Sequence, residues 1–295
     1  MLTWANAITL EGRPGPYENL GPVAEYTAQT PWEPIDPSLL ERPIAEAVAR
    51  DRYPLPCPAD REGYHGDRHY DHWMSGLKDY CLIRHRLAEH RLGLGKGDRV
   101  LDFGCASGRV LRHFLCQAEG LDLWGADLNL RNVEWVRRFL GPTLKVFQST
   151  ALPNLPLEDR AFGLVYAFSV FTHIDELELA WLLELRRILR PGGVAYLTLH
   201  TDHTWGIMSP QLPIYHAVLR IGAQDPTLNV RPEMFKEPMP SERFVIAAKT
   251  GRVYNVNIFH TTEYIRSTWG RFFEIVEIYR RGSGYQDVVV LRKPT

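Results

Sequence analysis

The chain has 295 residues, long enough to bury a sizeable core, and its 45% hydrophobic and 23% charged residues are those of an ordinary water-soluble domain. Lys and Arg number 34 against 35 Asp and Glu, and the formal net charge of -1 removes the electrostatic case for a nucleic-acid or anionic-membrane partner. Cys57, Cys81, Cys105 and Cys116 form no CxxC pair, no apolar run is long enough to span a bilayer, and the N-terminus lacks a signal peptide's basic start and apolar core; together these predict a cytoplasmic protein without a zinc or redox motif.

Prolines crowd the first stretch, from Pro14 to Pro58, so long regular elements are not expected there beyond a short helix within 37–50. Trp73, Leu77, Tyr80 and Ile83 recur at helical spacing and predict a helix over 70–92, which Gly93, Gly95 and Gly97 end. Strands and helices then alternate, with strands at 100–103, 121–126, 144–147, 162–169 and 194–200. Helices are predicted at 109–117, 131–140 and 175–190. The last opens on an Asp-x-x-Glu capping signature at Asp175 and Glu178 and stops at Pro191-Gly192-Gly193. Such alternation implies a parallel sheet with helices on both faces. Residues 201–240 read as loop. Segments 244–248 and 252–259 read as an antiparallel hairpin around Lys249-Thr250-Gly251, followed by a helix at 262–269 and strands at 272–279 and 287–291. The Arg137-Arg138, Arg186-Arg187 and Arg280-Arg281 pairs read as solvated faces.

The most informative segment is Val100 to Arg109, VLDFGCASGR, an apolar strand running into a small-residue turn and then a helix. Gly104, Ala106 and Gly108 let a ligand approach the backbone, at the carboxyl end of a strand where open α/β sheets bind ligands. The dinucleotide fingerprint G-x-G-x-x-G fails here, because Ala106 and Arg109 occupy its second and third glycine positions. The carboxylate of Asp127, ending the second strand, is placed either to accept two ribose hydroxyls or to cap the next helix.

With Asp102, Gly104, Ala106 and Gly108 the segment resembles the first motif of class I S-adenosylmethionine-dependent methyltransferases, with Ala106 where that family usually has glycine. The resemblance extends over residues 98–200, through LPLEDRAFGLVYAFSVFTHI and LLELRRILRPGGVAYLTLH. Gly163 stands where the family commonly has aspartate, and QSTALP lacks the acidic residue that often reaches the adenine. The resemblance implies a Rossmann-like α/β fold: a mostly parallel seven-stranded sheet with an antiparallel C-terminal hairpin and helices on both faces. It also implies S-adenosylmethionine as cofactor, S-adenosylhomocysteine as product, and a cofactor site made of Asp102, Phe103, Gly104, Cys105, Ala106, Gly108, Asp127, Leu128, Thr150, Ala151, Phe168 and Ser169. The domain organisation expected is a Pro-rich extension over 1–60, a helical lid over 61–97, and a cofactor-binding domain over 98–295 with a substrate-side insert at about 201–260.

Methyl transfer from a sulfonium is an in-line displacement, in which alignment dominates and a base helps an acceptor that carries a proton. In the fold implied, His173 and His200 follow the fourth and fifth strands and are the candidate bases. In the segment from Gly63 to Trp73 the expected lid offers Tyr70, His72 and Trp73 as substrate contacts, with His203 on a later loop. Its His and Asp residues lack a recognised ligand spacing, so no metal is assigned. The fourth strand ends without the Asn/Asp-Pro-Pro-aromatic motif of enzymes acting on nucleobase nitrogens. The expected function is O- or N-methylation of a small molecule. The alternatives are a catalytically inactive protein of the same fold that binds the cofactor or acts as a scaffold, and, disfavoured by Arg109, a nicotinamide-dependent oxidoreductase. The sequence leaves the oligomeric state open.

Overall fold

The computed structural model describes residues 22–23, 34–248 and 256–295. The Lys249-Thr250-Gly251 turn and most of the Pro-rich extension expected from the sequence lie outside them. The chain divides into two compact units.

Among the described residues, one unit comprises 22–23 and 34–151 with Phe162–Tyr166. The strands of its main sheet are β1 (Arg99–Phe103), β2 (Asp122–Asp127), β3 (Lys145–Gln148) and β4 (Phe162–Ala167, to Tyr166 in this unit). All are parallel: β1 lies between β2 and β4, with Leu101 opposite Trp124 and Val165, and β3 borders β2, with Ala126 opposite Phe147. Every residue of β4 is buried, as expected of a strand covered on both faces. Helices α1 (Ile44–Arg50), α2 (His69–Glu89), α3 (Leu111–Gln117) and α4 (Leu130–Phe139) belong to this unit. Gly76 of α2 is a point of close approach, since a Cβ there would come within 2.1 Å of the Arg109 carbonyl oxygen. Arg112 of α3 is wholly buried and ties down the chain before α2. Its Nε and Nη2 donate to the two oxygens of Asp51 at 2.7 and 2.9 Å, and its remaining donors reach the Pro54 and Tyr53 carbonyls.

The other unit comprises, among the described residues, Leu152–Ala161, 167–248 and 256–295. Its strands are β5 (Leu189–Thr201), β6 (Arg243–Ala247), β7 (Val256–His260), β8 (Glu274–Ser283) and β9 (Gln286–Arg292). β9 runs antiparallel to both β5 and β8, while the end of β5 pairs in parallel with β7, which carries β6 antiparallel. The fold is mostly parallel with an antiparallel C-terminal pair, as expected, but among the described residues the strands exceed seven: four parallel ones in the first unit, where Pro22–Val23 also pairs antiparallel with Leu55–Pro56, and five in the second. β5 also begins earlier than expected: Pro191-Gly192-Gly193 ends the helix yet lies within the strand.

The segment expected to be loop is folded. It contains α6 (Asp202–Gly206) and α7 (Pro213–Gln224), the latter following α5 (Glu178–Ile188) and preceding α8 (Thr262–Thr268). Pro213 is the first helical residue of α7, where a missing N–H breaks nothing, so its presence did not exclude a helix. Trp205, Ile214, Val218, Ile221, Phe235, Ile246 and Phe259 form a hydrophobic cluster of their own. Trp205 sits at its centre, edge-on to Phe235, Phe244 and Phe259, and donates Nε1–H to the Glu237 carbonyl at 2.8 Å.

Two of the arginine pairs also depart from expectation. Arg187 donates to Glu184, Asp159 and the carbonyls of Leu155 and Leu157, and Arg186 to the Phe272 carbonyl. Arg137 reaches the Val146 carbonyl. These side chains brace turns as well as facing water. Among the described residues no helix is long and apolar enough to cross a membrane.

Candidate active site

In the first unit the turn after β1 is built as the sequence suggested. Gly104, Ala106 and Gly108 all have left-handed backbones, with φ of 82°, 46° and 80°. The amides of Gly104 and Cys105 both donate to the Ala126 carbonyl, at 2.8 and 3.0 Å, which bends the chain back over the end of β2. Gly104 and Ala106 are half-buried, whereas Phe103 and Cys105 point into the core. Burial pushes the Cys105 thiol well up, so it is inert as a nucleophile. Gly108 is small for a different reason: a Cβ there would come within 2.6 Å of Leu140 Cδ1, so this glycine also seats the turn against α4.

Asp127 organises the turn. Its Oδ2 accepts the Ala106 N–H at 2.8 Å, and its Oδ1 accepts the Asn129 N–H at 2.7 Å and the Asn132 side-chain amide at 3.3 Å. The N-cap of α4 is Asn129, so capping is not the work of Asp127. Burial raises its pKa against those hydrogen bonds. Asp102 is more strongly affected: burial pushes its carboxyl up to about 8, although the Tyr166 hydroxyl and Arg109 pull the other way. Leu128, Thr150 and Ala151 are half-buried beyond the ends of β2 and β3. A left-handed, small-residue cradle with a buried carboxylate wired to it suits an adenosyl group, whose ribose hydroxyls need an acceptor.

Two of the expected substrate contacts in α2 lie in the core of the first unit. Trp73 is fully buried, its ring packed on Tyr70 and His113 and its Nε1–H donated to Asp51 at 2.7 Å. It is a core residue, because only there does its donor find a charged acceptor. Tyr70, also buried, stacks on it. His72 is buried too, but neither of its ring nitrogens has a hydrogen-bond partner.

In the second unit the candidate bases occupy strand and loop ends. His173 donates Nδ1–H to the Val256 carbonyl at 2.5 Å, which leaves the lone pair on Nε2. Burial lowers its pKa, with that hydrogen bond opposing. His200, fully buried between Phe259 and Tyr285, is pushed down to about 3 by burial and by His173 and His260. Both imidazoles are therefore held neutral, but a base must also hold the proton it takes, and His200 at about 3 is poorly suited to that, which leaves His173 the better candidate. Ser169 follows β4 with φ of 58°, a left-handed residue outside glycine, and is fixed by its N–H to Thr198 Oγ1 at 2.7 Å and by its hydroxyl to Gln286. Phe168 packs on Tyr196. His203 faces Asp287, Nδ1 to Oδ1 at 3.0 Å.

Sequence reasoning missed Glu178 and His260. Read as half of a capping box, Glu178 is instead a buried hub that caps nothing. Its Oε2 accepts from His260 Nε2 and Arg243 Nε, both at 2.7 Å, and its Oε1 from Trp269 Nε1 at 2.9 Å and the Tyr264 hydroxyl at 3.2 Å. Asp175, the other half, also binds Arg243. No local signal distinguishes these uses, because the donors lie 65 to 91 residues away.

A methyltransferase-domain family model matches residues 70–237. The sterol 24-C-methyltransferase of Schizosaccharomyces pombe is 30% identical over 156 residues, 50% of this chain and 40% of that protein, so the chain spans less than half the length of that relative. The ubiquinone biosynthesis O-methyltransferase of Sinorhizobium medicae is 28% identical over 192 residues, 59% of this chain and 73% of that protein. Among solved structures, the 1,6-didemethyltoxoflavin-N1-methyltransferase of Burkholderia thailandensis, with 1,6-didemethyltoxoflavin and S-adenosylhomocysteine bound, aligns over 94% of this chain and 95% of its own at 15% identity and a TM-score of 0.49.

Proposed function

The chain belongs to the class I S-adenosylmethionine-dependent methyltransferase family, and from that membership we propose that it moves the sulfonium methyl group to an oxygen or nitrogen of a small biosynthetic molecule. The observation that carries the reading is the turn after β1, left-handed at Gly104, Ala106 and Gly108 and wired to Asp127. These residues suit the adenosyl end: the turn allows close approach, the Asp127 oxygens would take ribose hydroxyls, and Thr150 with the Ala151 backbone would meet the adenine. The bound cofactor supplies an activated methyl and a good leaving group.

The rest is alignment and proton removal. The acceptor O–H or N–H gives its proton to Nε2 of His173 or to His200 as the new bond to carbon forms and the carbon–sulfur bond breaks, releasing S-adenosylhomocysteine. The neutral state of His173 supports this role, and His200, pushed down to about 3, is the weaker base of the two. A small acceptor is supported by the insert, whose own hydrophobic cluster gives the fold a place to specialise, and by the small molecules named for the relatives. Four thiols, all unpaired, accord with a cytoplasmic setting.

Calorimetric titration tests the cofactor reading: S-adenosylhomocysteine should bind, NAD should not, and Asp127→Ala should weaken the former about tenfold or more. Unchanged affinity in that variant overturns the ribose assignment. Transfer of labelled methyl into a metabolite extract tests turnover, and its absence favours a cofactor-binding scaffold. His173→Ala and His200→Ala should slow turnover by about 10²-fold or more without weakening the cofactor. Wild-type rates in the double variant exclude both as bases.

A further inference from the structure

At the carboxyl end of β5, in the second unit, a buried carboxylate holds a half-buried imidazole. Asp287, 0% exposed, stands second in β9 and accepts three hydrogen bonds. Thr201 Oγ1–H donates to its Oδ2 at 2.5 Å, the Arg281 N–H to its Oδ1 at 2.7 Å, and His203 Nδ1–H to the same Oδ1 at 3.0 Å. His203 is fixed at a second point, since its own N–H donates to Thr201 Oγ1 at 3.1 Å. A carboxylate only accepts, so the hydrogen of the neutral ring sits on Nδ1 and the lone pair on Nε2. That nitrogen has no hydrogen-bond partner among the described residues, and the side chain is 21% exposed.

Folding of this end does not require the imidazole, because Thr201 and the Arg281 N–H already pair the carboxylate. The third bond adds direction. It fixes the tautomer and tilt of a ring whose other nitrogen stays free, as outer carboxylates do for working histidines. The residue before Asp287 acts on the same end of the sheet: Gln286 pairs with the Ser169 hydroxyl, just after β4. The start of β9 therefore fixes groups beyond both β4 and β5, at the strand ends where open α/β sheets bind ligands.

We propose that Asp287 is a positioning residue for acceptor recognition: it holds His203 so that Nε2 accepts a hydrogen bond from a hydroxyl or N–H that the acceptor keeps. The proposal rests on the methyl-transfer reading and names its class of acceptor. The reacting proton goes to His173, the better base of its pair, so the group at His203 is a second one. The acceptor is then a molecule with at least two O–H or N–H groups, a polyhydroxylated compound or an amino alcohol, and the product still carries one. A monohydric alcohol or a simple carboxylate has no hydrogen left for Nε2.

Transfer of labelled methyl by the full chain into a metabolite extract, measured over a dilution series, gives a plateau rate and a half-saturating concentration. In His203→Ala and Asp287→Ala the half-saturating concentration should rise about tenfold while the plateau stays within about twofold of wild type. Because Asp287 acts through His203, the double variant should match either single one. Asp287→Asn should stay near wild type, since an amide oxygen turned toward Nδ1 and the Arg281 N–H keeps the tautomer. The labelled product should still take an acetyl group from acetic anhydride. An unchanged half-saturating concentration in His203→Ala, or a product that resists acetylation, overturns the proposal. A further loss when Asp287→Ala is added to His203→Ala also overturns it, by making Asp287 a structural residue. A fallen plateau at unchanged half-saturation does the same, by making His203 the base. Nitrogen NMR of histidine-labelled wild type, at about pH 9 where imidazoles are neutral, decides the point if Asp287→Ala fails to fold. The His203 hydrogen should be on Nδ1, and a hydrogen on Nε2 overturns the proposal with or without turnover. A folded wild type that transfers no methyl refutes the methyl-transfer reading and the acceptor class with it, whereas transfer indifferent to His203 refutes this proposal alone.

Discussion

Replacing Glu178 with glutamine keeps the size of the side chain and removes its charge from a point where His260, Arg243, Trp269 and Tyr264 converge. Burial opposes ionisation there, yet His260 and Arg243 overcome it and hold the carboxyl at about 2, against an ordinary 4.5. A carboxyl whose folded pKa is depressed adds stability above its unfolded value and loses it as pH falls through the folded one. The difference corresponds to about 3 kcal/mol at pH 7 and about 1.4 kcal/mol at pH 3, where the unfolded chain is already protonated and the folded one is not. Equilibrium unfolding in urea at both pH values, followed by tryptophan fluorescence because Trp269 touches the site, should therefore show Glu178→Gln less stable by these amounts. An equal loss at pH 7 and pH 3 would show that shape, not charge, makes Glu178 the hub. A loss below about 1 kcal/mol at pH 7 would mean that the four donors find other acceptors.

Three further substitutions probe the first unit. Ala106→Gly relieves a left-handed alanine at φ of 46°, worth about 1–2 kcal/mol, against about 0.5–1 kcal/mol of added chain entropy, so a net gain of about 0.5–1 kcal/mol is expected in urea unfolding and a loss would refute the strain. Arg112→Met strands Asp51 in the core and should destabilise by about 3–5 kcal/mol; the double variant with Asp51→Asn should recover part of this, and a purely additive double variant would deny the pairing. Asp102, raised to about 8 by burial, should lower stability by about 1.4 kcal/mol per pH unit between its unfolded value and 8, because the unfolded carboxyl gives up its proton first. Asp102→Asn should remove that slope between pH 5 and pH 8, and an unaltered slope would place the titration elsewhere.

What could be read from the sequence is what depends on near neighbours. The apolar runs at β1, β2 and β4 mark buried strands in any setting, and Gly104 through Gly108 mark a turn because small residues there have few other uses. What could not be read depends on distant partners. Trp73 has the helical spacing of a core residue and the chemistry of a ligand contact, and only the position of Asp51, 22 residues away, decides between them. Residues 201–240 looked irregular because proline interrupts them, yet Pro213, Pro226 and Pro232 each begin a helical turn. A proline count cannot tell a start from a break until the packing around Trp205 is known.

The glycine motif shows the same division inside a single turn. Its small residues look equivalent in sequence, each clearing space for a ligand, but their surroundings differ. At Gly108 the added carbon would meet Leu140 and Val136, side chains of the protein itself, so a larger residue would have to displace the Leu140 tip and hold φ at 80° whether or not a ligand is bound. At Ala106 the chain already carries that carbon, and the Asp127 carboxylate fixes its amide at 2.8 Å despite the unfavourable φ. The departure from the family pattern therefore falls at a position where the fold carries a methyl, its strain met locally by a hydrogen bond to an ionisable group. If the same carboxylate must also take the ribose hydroxyls, loop conformation and cofactor affinity are coupled through Asp127. A substitution that relaxes the turn, such as Ala106→Gly, should then change affinity for S-adenosylhomocysteine while leaving the Asp127 carboxylate itself in place.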